Sequence, residues 1–169
     1  MAMFRKDPAS GIAAVSELRR AVVEDARRLV LEISGHAPTQ RIDPMSLGLV
    51  LVLGEVASRA VPLSVRSLEG GQWSGEELCL AVVTDQRLLL RRAHGELVSF
   101  WWATVVGLEV DLAQQRMVLD FADGRPCGLF GSHVAVPAVM AIACIYGAEG
   151  LIRHPSLESL RDPVITPGA

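Results

Sequence analysis

The sequence has few cysteines, almost no lysine and no excess of positive charge. Its three cysteines, Cys79, Cys127 and Cys144, are odd in number, far apart and embedded in apolar stretches. This pattern is typical of reduced thiols in a core and argues against a disulfide framework or a zinc site. Lys6 is the only lysine, and the net charge is −3. Because nucleic-acid binding needs a concentrated basic surface, no nucleic-acid partner is expected.

Long apolar runs and targeting signals are also missing. The longest uncharged apolar run, residues 134–148, is shorter than the ~20 residues that cross a bilayer, and Pro137 interrupts it. No transmembrane span is therefore predicted. The first eight residues, Met-Ala-Met-Phe-Arg-Lys-Asp-Pro, lack the charged, then apolar, then small-residue layout of a secretory signal. We expect a cytoplasmic protein.

Catalytic and metal-binding signatures are absent from the sequence as well. It contains no Cys-x-x-Cys, His-Glu-x-x-His, P-loop or nucleophile-elbow motif. Ser132-His133 is the only place where a histidine adjoins a hydroxyl, and the sequence supplies neither an acid nor an oxyanion pocket for it. Glu109 and Asp111 share a strand face, but acids that alternate with apolar residues are typical of a solvated face. We predict no enzyme activity, no cofactor and no metal.

What the sequence does contain begins with an amphipathic helix from Pro8 to Ser34. Asp7 can cap this helix, and Gly35 can end it in the left-handed conformation. Apolar residues recur along it at spacings of three and four: Ile12, Val15, Leu18, Val22, Ala26, Leu29 and Ile33. Two interpretations of this stripe stay open. It packs in cis on the chain's own strands, which we favour, or it pairs in trans with the same helix of a second copy.

The charged residues of this helix indicate its wetter side, and the segment after it is less regular. Glu24 and Arg28 form an i,i+4 pair, with Glu32 nearby, which predicts a solvated face. Asp43-Pro44 then offers a second cap and first-turn proline. Residues 45–53 are predicted to form a short buried helix ending at a glycine, although their unbroken apolar character fits a strand equally well.

Short apolar runs rich in β-branched residues follow at hairpin spacing, separated by Gly, Asp and Gln. This pattern predicts seven antiparallel strands over residues 56–67, 78–84, 87–92, 97–102, 105–112, 116–121 and 126–130. Pro62 confines the first strand to an edge or a bulge. Residues 68–75 are predicted to form a flexible polar loop, and residues 136–148 an apolar helix. Seven strands leave two open edges unless the sheet curls and closes, and the helix would cap the open end.

Seven strands followed by one helix resemble the pleckstrin-homology-like (PH-like) superfamily, in particular its bacterial PH-like and GRAM-like domains. The matching features are Leu53-Gly-Glu55, Val83-Thr-Asp-Gln-Arg-Leu-Leu-Leu90, Gly95, Trp102-Ala-Thr-Val-Val-Gly107 and Asp123-Gly124. The resemblance covers about residues 53–150. It implies a mainly β (α+β) fold, a seven-stranded antiparallel β-barrel or sandwich capped by a C-terminal helix. We predict a helical extension and connector at 1–43, the PH-like domain at 44–152 and a flexible tail at 153–169.

This superfamily includes lipid binders, peptide binders and scaffolds, so the fold alone does not give the function. Members that bind phosphoinositides hold the phosphates with several Lys and Arg in the first hairpin. Here that hairpin, residues 67–77, contains no basic residue and has Glu69, Glu76 and Glu77. No phosphoinositide is therefore expected. Arg87 matches the family's turn arginine, and we expect it to bond backbone carbonyls or an acid such as Asp85.

The aromatic residues are the candidates for partner contact. Trp73 lies in a Gly-rich segment, where it either folds back on the strands or touches a partner. Trp101 and Trp102 are adjacent on one strand and must point to opposite faces, so one of them lies outside, covered by the N-terminal helix or available to a partner. Arg91 and Arg92 would flank such a patch. These five residues are the predicted partner-binding site.

The predicted function is a non-catalytic binding or scaffolding module. It engages a protein partner or a second copy through a sheet edge, or through a groove beside the C-terminal helix, in the manner of strand addition. The alternative is a peripheral membrane module without phosphoinositide specificity, using Trp73 and the N-terminal helix. A small-molecule carrier is not expected, because bulky inward Leu, Val and Phe side chains should fill the centre of so small a barrel.

Overall fold

The computed structural model describes residues 8–161, which form an α+β fold around one seven-stranded antiparallel sheet. The helices are α1 (Pro8–Ile33), α2 (Ala135–Arg153) and α3 (Glu158–Arg161). The strands are β1 (Ala57–Glu69), β2 (Gln72–Thr84), β3 (Arg87–Arg91), β4 (Leu97–Trp101), β5 (Val105–Asp111), β6 (Arg116–Phe121) and β7 (Cys127–Phe130). Single turns of 3-10 helix lie at Met45–Leu47, Trp102–Thr104, Ser132–Val134 and Pro155–Leu157. The mainly β class is confirmed.

The strands follow the order β4-β3-β2-β1-β7-β6-β5, so β4 and β5 are the two edges of an open sheet. β1 joins the two halves, because nearly all of it pairs with β2 while residues 64–67 also pair with β7. Pro62 lies in the part of β1 that has only β2 as a neighbour, as expected for proline in a strand. The sheet is curled: Phe100 on β4 stacks on Phe121 on β6, with ring centroids 5.3 Å apart.

The main core lies between the inner face of the sheet, α2 and the second half of α1. Its fully buried side chains include Leu29, Leu63, Leu88, Met117, Leu119, Leu129 and Ile142. In the part of the chain that the structure describes, one helical segment, residues 132–153, is long and apolar enough to cross a membrane by length and composition. Residues 135–142 of that segment are buried in the core, and a helix that is apolar on all sides is what such a position requires.

The N-terminal helix α1 ends within one residue of the predicted boundary. Its second half packs in cis, because Val22, Ala26 and Leu29 are buried. Its first half leaves the same stripe uncovered: Ile12, Val15 and Leu18 are exposed. The favoured cis interpretation therefore describes the second half of the helix, and the first half extends away from the core.

Residues 45–53, predicted as a short buried helix, are a loop. Only Met45–Leu47 form a turn of 3-10 helix, which Gly48 ends in the left-handed conformation with φ 63°. The chain then crosses the outer face of the sheet. There Leu49 is buried in a second, smaller cluster together with Ala57, Val82 and Leu89. Tertiary packing against the sheet, not helical periodicity, determines the conformation of this stretch.

The segment predicted as a flexible loop, residues 68–75, is a tight hairpin. β1 and β2 continue until Glu69 faces Gln72 in register. Gly70 and Gly71 form the two-residue turn with φ values of 57° and 79°. A turn of this kind needs positive φ at both central residues, and glycine supplies it without strain. The two strands are therefore longer than the sequence pattern indicated.

Part of the predicted C-terminal tail is folded. Residues 155–161 form the last 3-10 turn and α3, and Leu157 and Leu160 are buried. Arg27 on α1 donates from Nε to the Leu160 carbonyl at 2.9 Å. These contacts hold the segment against α1. Residues 162–169, the rest of the predicted tail, lie outside the described residues, and the proposed domain boundaries stay a prediction.

Candidate functional site

The outer face of β3 and β4, away from the main core, is the candidate site. Strand alternation and pairing place six side chains on this face: Arg87, Leu89 and Arg91 on β3, and opposite them Trp101, Ser99 and Leu97 on β4. The alternate residues Leu88 and Leu90 point into the core. The outer face therefore combines two arginines, a tryptophan and small or aliphatic side chains.

Arg87 connects this face to the loop that precedes β1. Its Nε and Nη2 donate to the Glu55 carboxylate at 2.9 and 3.1 Å, and its Nη1 donates to Ser99 Oγ at 3.1 Å. Nη2 also donates to the Val50 carbonyl at 3.0 Å. The guanidinium lies 4.4 Å from the centroid of the Trp101 ring. A planar, forked and permanently charged group is suited to all of these contacts at once.

Glu55 is the acidic partner of Arg87, where the sequence suggested Asp85. Its carboxylate also accepts from Thr84 Oγ1 at 2.8 Å and from the Val52 N–H at 2.9 Å. Burial alone raises the pKa of Glu55, but the hydrogen bonds from Arg87, Val52 and Thr84, with the arginine charge, lower it below its ordinary value of 4.5. Glu55 is thus a buried, charged and fully bonded group, and Arg87 has a structural role.

Residues 44–54, here called the apolar loop, read Pro-Met-Ser-Leu-Gly-Leu-Val-Leu-Val-Leu-Gly and include no charged side chain. Leu49 turns towards the sheet and is buried. Met45, Val50 and Leu53 point to solvent with 82%, 90% and 103% of their surface exposed. Exposed aliphatic side chains this close together mark a contact surface more often than isolated ones do.

Two arginines of β3 fix the position of the apolar loop. Arg87 bonds the Val50 carbonyl, and Arg91 donates from Nη2 to the Leu47 carbonyl. Within the loop, the N–H groups of Leu47 and Leu49 both donate to the Pro44 carbonyl, at 3.1 and 2.9 Å. The loop is therefore held by hydrogen bonds to the sheet as well as by its own turn.

The two edges of the sheet differ in how they are protected. β5 carries Glu109 and Asp111 and has a register irregularity at residues 105–107. The Ser156 hydroxyl also donates to the Val110 carbonyl at 2.8 Å, so the C-terminal segment covers part of this edge. Charges, bulges and covering segments are the devices by which proteins prevent an edge strand from pairing with another chain.

β4 lacks these devices among the described residues. Its sequence, Leu-Val-Ser-Phe-Trp, contains no charge, proline or glycine. The Glu96 carbonyl and the Trp102 N–H, which flank β4, both bond to residues that flank β3. Because successive residues direct their main-chain groups to opposite sides, those of Leu97 and Ser99 face outward. They form an edge to which another strand can bond.

Trp73 folds back on the sheet and is not part of the outer face. Its ring meets Phe130 edge-on, with centroids 6.0 Å apart and an interplanar angle of 79°. It also lies against Gly128, where a Cβ would come within 2.9 Å of the indole. The sequence left two interpretations of Trp73 open, and in the structure its ring folds back on the strands.

The other predicted site residues separate into two groups. Trp102 is buried, and its Nε1 donates to the Thr84 carbonyl at 3.0 Å. This corrects its place in the predicted partner site, because the indole has no exposed surface to offer. Trp101 faces the other way and is partly exposed. Arg92 forms ion pairs with two nearby glutamates. The structure thus brings together Trp101 and Arg91 alone.

Sequence reasoning missed the apolar loop and the role of Glu55. One signal for the loop is present in the sequence, because eleven consecutive uncharged residues, 44–54, are unusual for an exposed connector. Glu55 has no comparable local signal, since its partner Arg87 lies 32 positions later. Glu55 is buried because the folded sheet brings Arg87 next to it. The residues that neighbour Glu55 in the sequence do not indicate this contact.

The side chains of the outer face can make hydrogen bonds and apolar contacts. Among the residues that the structure describes, no group of three or more His, Cys, Asp or Glu could hold a metal ion. Burial raises the pKa of the Cys127 thiol to about 12, so it is not a thiolate at neutral pH. The outer face can therefore bind through main-chain hydrogen bonds and apolar area.

Comparison of the chain with models of known protein families and with curated proteins finds no match.

Proposed function

We propose that this chain is a non-catalytic binding or scaffolding module of PH-like architecture, which engages an extended segment of a protein partner or of a second copy along β4. One observation carries the proposal: β4 is an uncharged edge with outward main-chain groups at Leu97 and Ser99, whereas β5 is protected. Strand addition at such an edge provides affinity through main-chain bonds.

The order of elements supports the PH-like part of the proposal. Seven antiparallel strands, in two halves that share β1, are followed by a helix that packs in the core. The turn from Thr84 to Arg87 is internally bonded, because Thr84 Oγ1 accepts from the Arg87 N–H at 2.9 Å. These features agree with the resemblance in the sequence, which includes this same turn.

The first hairpin argues against phosphoinositides as the ligand. Its three acids each form an ion pair with an arginine: Glu69 with Arg125, Glu76 with Arg66, and Glu77 with Arg92. The basic side chains near this end of the sheet are thus already neutralised. A phosphate group would have to displace a carboxylate from its arginine, which removes the advantage of the charge-assisted contact.

The side chains beside β4 indicate what kind of segment would bind. Leu97 is 44% exposed and Trp101 is partly exposed, and they lie on the same face as the apolar loop. A strand added to β4 would place every second side chain over this face. Apolar and β-branched residues at those positions would gain contact area, so the expected partner is an extended segment with an alternating apolar pattern.

Selection from a random-peptide display library against the immobilised chain, together with light scattering over a range of protein concentrations, tests this proposal. The test variant is Leu97→Lys, which adds a charge to the open edge. The matched control is Val106→Lys, which adds the same charge at an exposed position of the protected edge. We expect selected peptides, or self-association, to weaken by about tenfold or more in Leu97→Lys and to persist in the control.

Two outcomes would contradict the proposal. One is that the wild-type chain neither self-associates nor selects peptides with an alternating apolar pattern. The other is that Leu97→Lys binds as tightly as Val106→Lys, which would place the contact away from β4. Thermal unfolding of both variants confirms that each is folded, since both positions are already exposed to solvent.

A further inference from the structure

The first half of α1 carries an apolar stripe that its own chain leaves uncovered. Residues 11–20 are all exposed, whereas the second half of the helix packs in the core. The stripe nevertheless continues through them as Ile12, Val15 and Leu18, with 71%, 55% and 50% of their surface exposed. Helices in proteins gain most of their stability from packing an apolar face. Gly11 lowers the helix propensity of this segment further, so the segment would be stabilised by a cover for its stripe.

A groove beside the middle of α1 is complementary to such a stripe. It has a volume of about 500 Å³ and lies between α1, the turn from β5 to β6, the 3-10 turn before α2, and α3. The buried Val22 and Val134 form its apolar floor, and the exposed Gln114 and Ser159 lie at its rim. An apolar centre with a polar rim is the usual anatomy of a protein contact surface.

The wall that the β5–β6 turn contributes to this groove is held by main-chain bonds. The Gln115 N–H donates to the Leu112 carbonyl at 3.2 Å, and the Gln115 carbonyl accepts from the Gly131 N–H at 3.0 Å. These bonds fix Gln115 in the left-handed conformation, with φ 52°, which is uncommon for a residue other than glycine. The Gln114 N–H also donates to the Asp111 carboxylate at 3.0 Å. A wall that is already ordered costs little entropy when a partner binds.

The first half of α1 cannot fill this groove in cis. α1 is one continuous helix of 26 residues, about 39 Å long at 1.5 Å per residue. Val22 lines the groove, whereas Ile12 and Val15 lie nearer the N-terminus of the same rod and cannot bend back into it. A second copy provides both a stripe and a groove. A two-fold axis lets each copy place its stripe in the groove of the other, as in an isologous interface.

The charges beside the stripe and the groove have opposite signs. Arg19 lies four positions after Val15, on the stripe side of the helix, whereas Glu17 lies on the opposite face. Asp111 and Glu158 line the adjoining part of the groove. Within residues 8–161, none of Arg19, Asp111 and Glu158 has an ion-pair partner. The arginine of one copy can therefore be attracted to the acids of the other.

We propose that the first half of α1 is a self-association surface, and that in a two-fold dimer Ile12, Val15 and Leu18 of each copy bind in the groove of the other. The sequence left cis and trans packing of this helix open, and the proposal assigns trans packing to its first half alone. It goes beyond the proposed function, which rests on β4. Contacts of this extent bury less than about 1,200 Å² in total, as in transient complexes. We therefore expect a dissociation constant of about 10–100 μM.

Sedimentation equilibrium of the full chain, from about 5 to 500 μM, tests this proposal. The helix variant is Ile12→Gln/Val15→Gln, which removes most of the stripe and keeps residues that favour a helix. The groove variant is Ala113→Arg, which fills the groove from an exposed position of its wall. We expect each variant to weaken dimerisation by about tenfold or more. The control Ile152→Gln, which changes an equally exposed residue of α2, should dimerise like the wild type.

An equimolar mixture of the helix variant and the groove variant tests the exchange itself. The helix variant retains an intact groove, and the groove variant retains an intact stripe. One of the two contacts can therefore form in the mixed dimer, whereas neither forms in a dimer of either variant alone. We expect the mixture to dimerise more tightly than each variant by itself. Thermal unfolding checks that both variants are folded, since all three positions are exposed.

Three outcomes would overturn the proposal. The first is a wild-type chain that stays monomeric up to the highest concentration. The second is a groove variant that dimerises like the wild type, which would mean that the stripe does not bind in the groove. The third is a mixture that dimerises no more tightly than its components.

This proposal and the one for β4 fail in distinguishable ways. Leu97→Lys should leave the α1 dimer intact, and its effect on β4 is measured in the background of the helix variant, where the α1 contact is absent. If Leu97→Lys abolishes all self-association while the helix variant dimerises like the wild type, the contact belongs to β4 and the α1 proposal is wrong. If the helix variant is monomeric and Leu97→Lys changes no peptide binding, the α1 dimer stands and the β4 proposal fails.

Discussion

The ion pair between Arg59 and Glu32 joins β1 to α1, and both side chains are buried. Arg59 donates from Nη2 and Nη1 to the two Glu32 oxygens at 2.9 and 3.2 Å, and from Nε to Asp25 at 2.8 Å. Its Nη1 also donates to the Ser58 carbonyl at 2.9 Å. Glu32 accepts in addition from the Gln40 N–H at 3.1 Å. Removing either partner therefore leaves a buried charge without its main contact.

We predict that Arg59→Met destabilises the chain by about 3–5 kcal/mol, the usual cost of leaving half of a buried ion pair. Glu32→Gln should cost less, about 2–3 kcal/mol, because Arg59 keeps Asp25 and the Gln carbonyl still accepts one bond. The double variant should be destabilised by about 2 kcal/mol less than the sum of the two single effects. The second substitution removes the buried charge that the first one leaves without a partner.

Urea unfolding at neutral pH, followed by far-ultraviolet circular dichroism, measures these free energies. Arg153→Met is the control, because Arg153 and Glu149 form an ion pair at the surface and its loss should change the unfolding free energy by less than about 0.5 kcal/mol. The reasoning is refuted if Arg59→Met costs less than about 1 kcal/mol, or if the two single effects add within about 0.5 kcal/mol.

The pH dependence provides a second check on the same pair. Burial alone raises the pKa of Glu32, but the bonds from Arg59, the Gln40 N–H and Arg28 lower it overall below 4.5. A lowered folded-state pKa contributes stability that is complete above the unfolded value and is lost as the pH falls through the folded one. Arg59→Met removes the largest of the lowering contributions and leaves burial, the Gln40 N–H and Arg28. The difference in unfolding free energy between wild type and Arg59→Met should therefore narrow as the pH falls below 4.5.

Three further predictions concern other parts of the structure. Arg87→Lys should cost about 1–3 kcal/mol and speed amide hydrogen exchange in the apolar loop, because an ammonium cannot reproduce the forked contacts. Gly128→Ala should cost about 1–3 kcal/mol and change the tryptophan fluorescence, because its Cβ would come within 2.9 Å of the Trp73 ring. Cys127, which is buried and whose thiol pKa is raised to about 12, should react with a disulfide reagent much more slowly in the native chain than in urea.

Elements whose signals are local could be predicted from the sequence. α1 shows its apolar period within its own length, and its C-terminal end is within one residue of the predicted one. Asp7, its predicted N-terminal cap, lies outside the described residues. Residues 116–121 alternate clearly and form β6 as predicted. The first hairpin was harder, because Gly70-Gly71 can be the turn of a hairpin or part of a flexible loop. The pairing of Leu68 with Trp73 and of Glu69 with Gln72 shows that it is a hairpin.

Polar residues whose partners are distant could not be placed in this way. The i,i+4 spacing from Arg28 places Glu32 on the wetter face of α1, and that ion pair does form, at 3.3 Å. The same carboxylate is nevertheless buried, because Arg59 approaches it from 27 positions later in the chain. Helical spacing gives the direction of a side chain, but what the tertiary fold places in that direction decides whether the residue meets water or a buried arginine.

The conformation of the apolar loop depends most strongly on distant residues. Its sequence fits a helix or a strand, yet after its 3-10 turn it has no regular structure, because Arg87 and Arg91 bind two of its carbonyls from 37 and 44 positions later. Arg87 also bonds Ser99 on β4 and stacks on Trp101. The loop and the open edge are therefore connected through one guanidinium. A strand added to β4 would therefore meet a surface whose position depends on the loop as well as on the sheet.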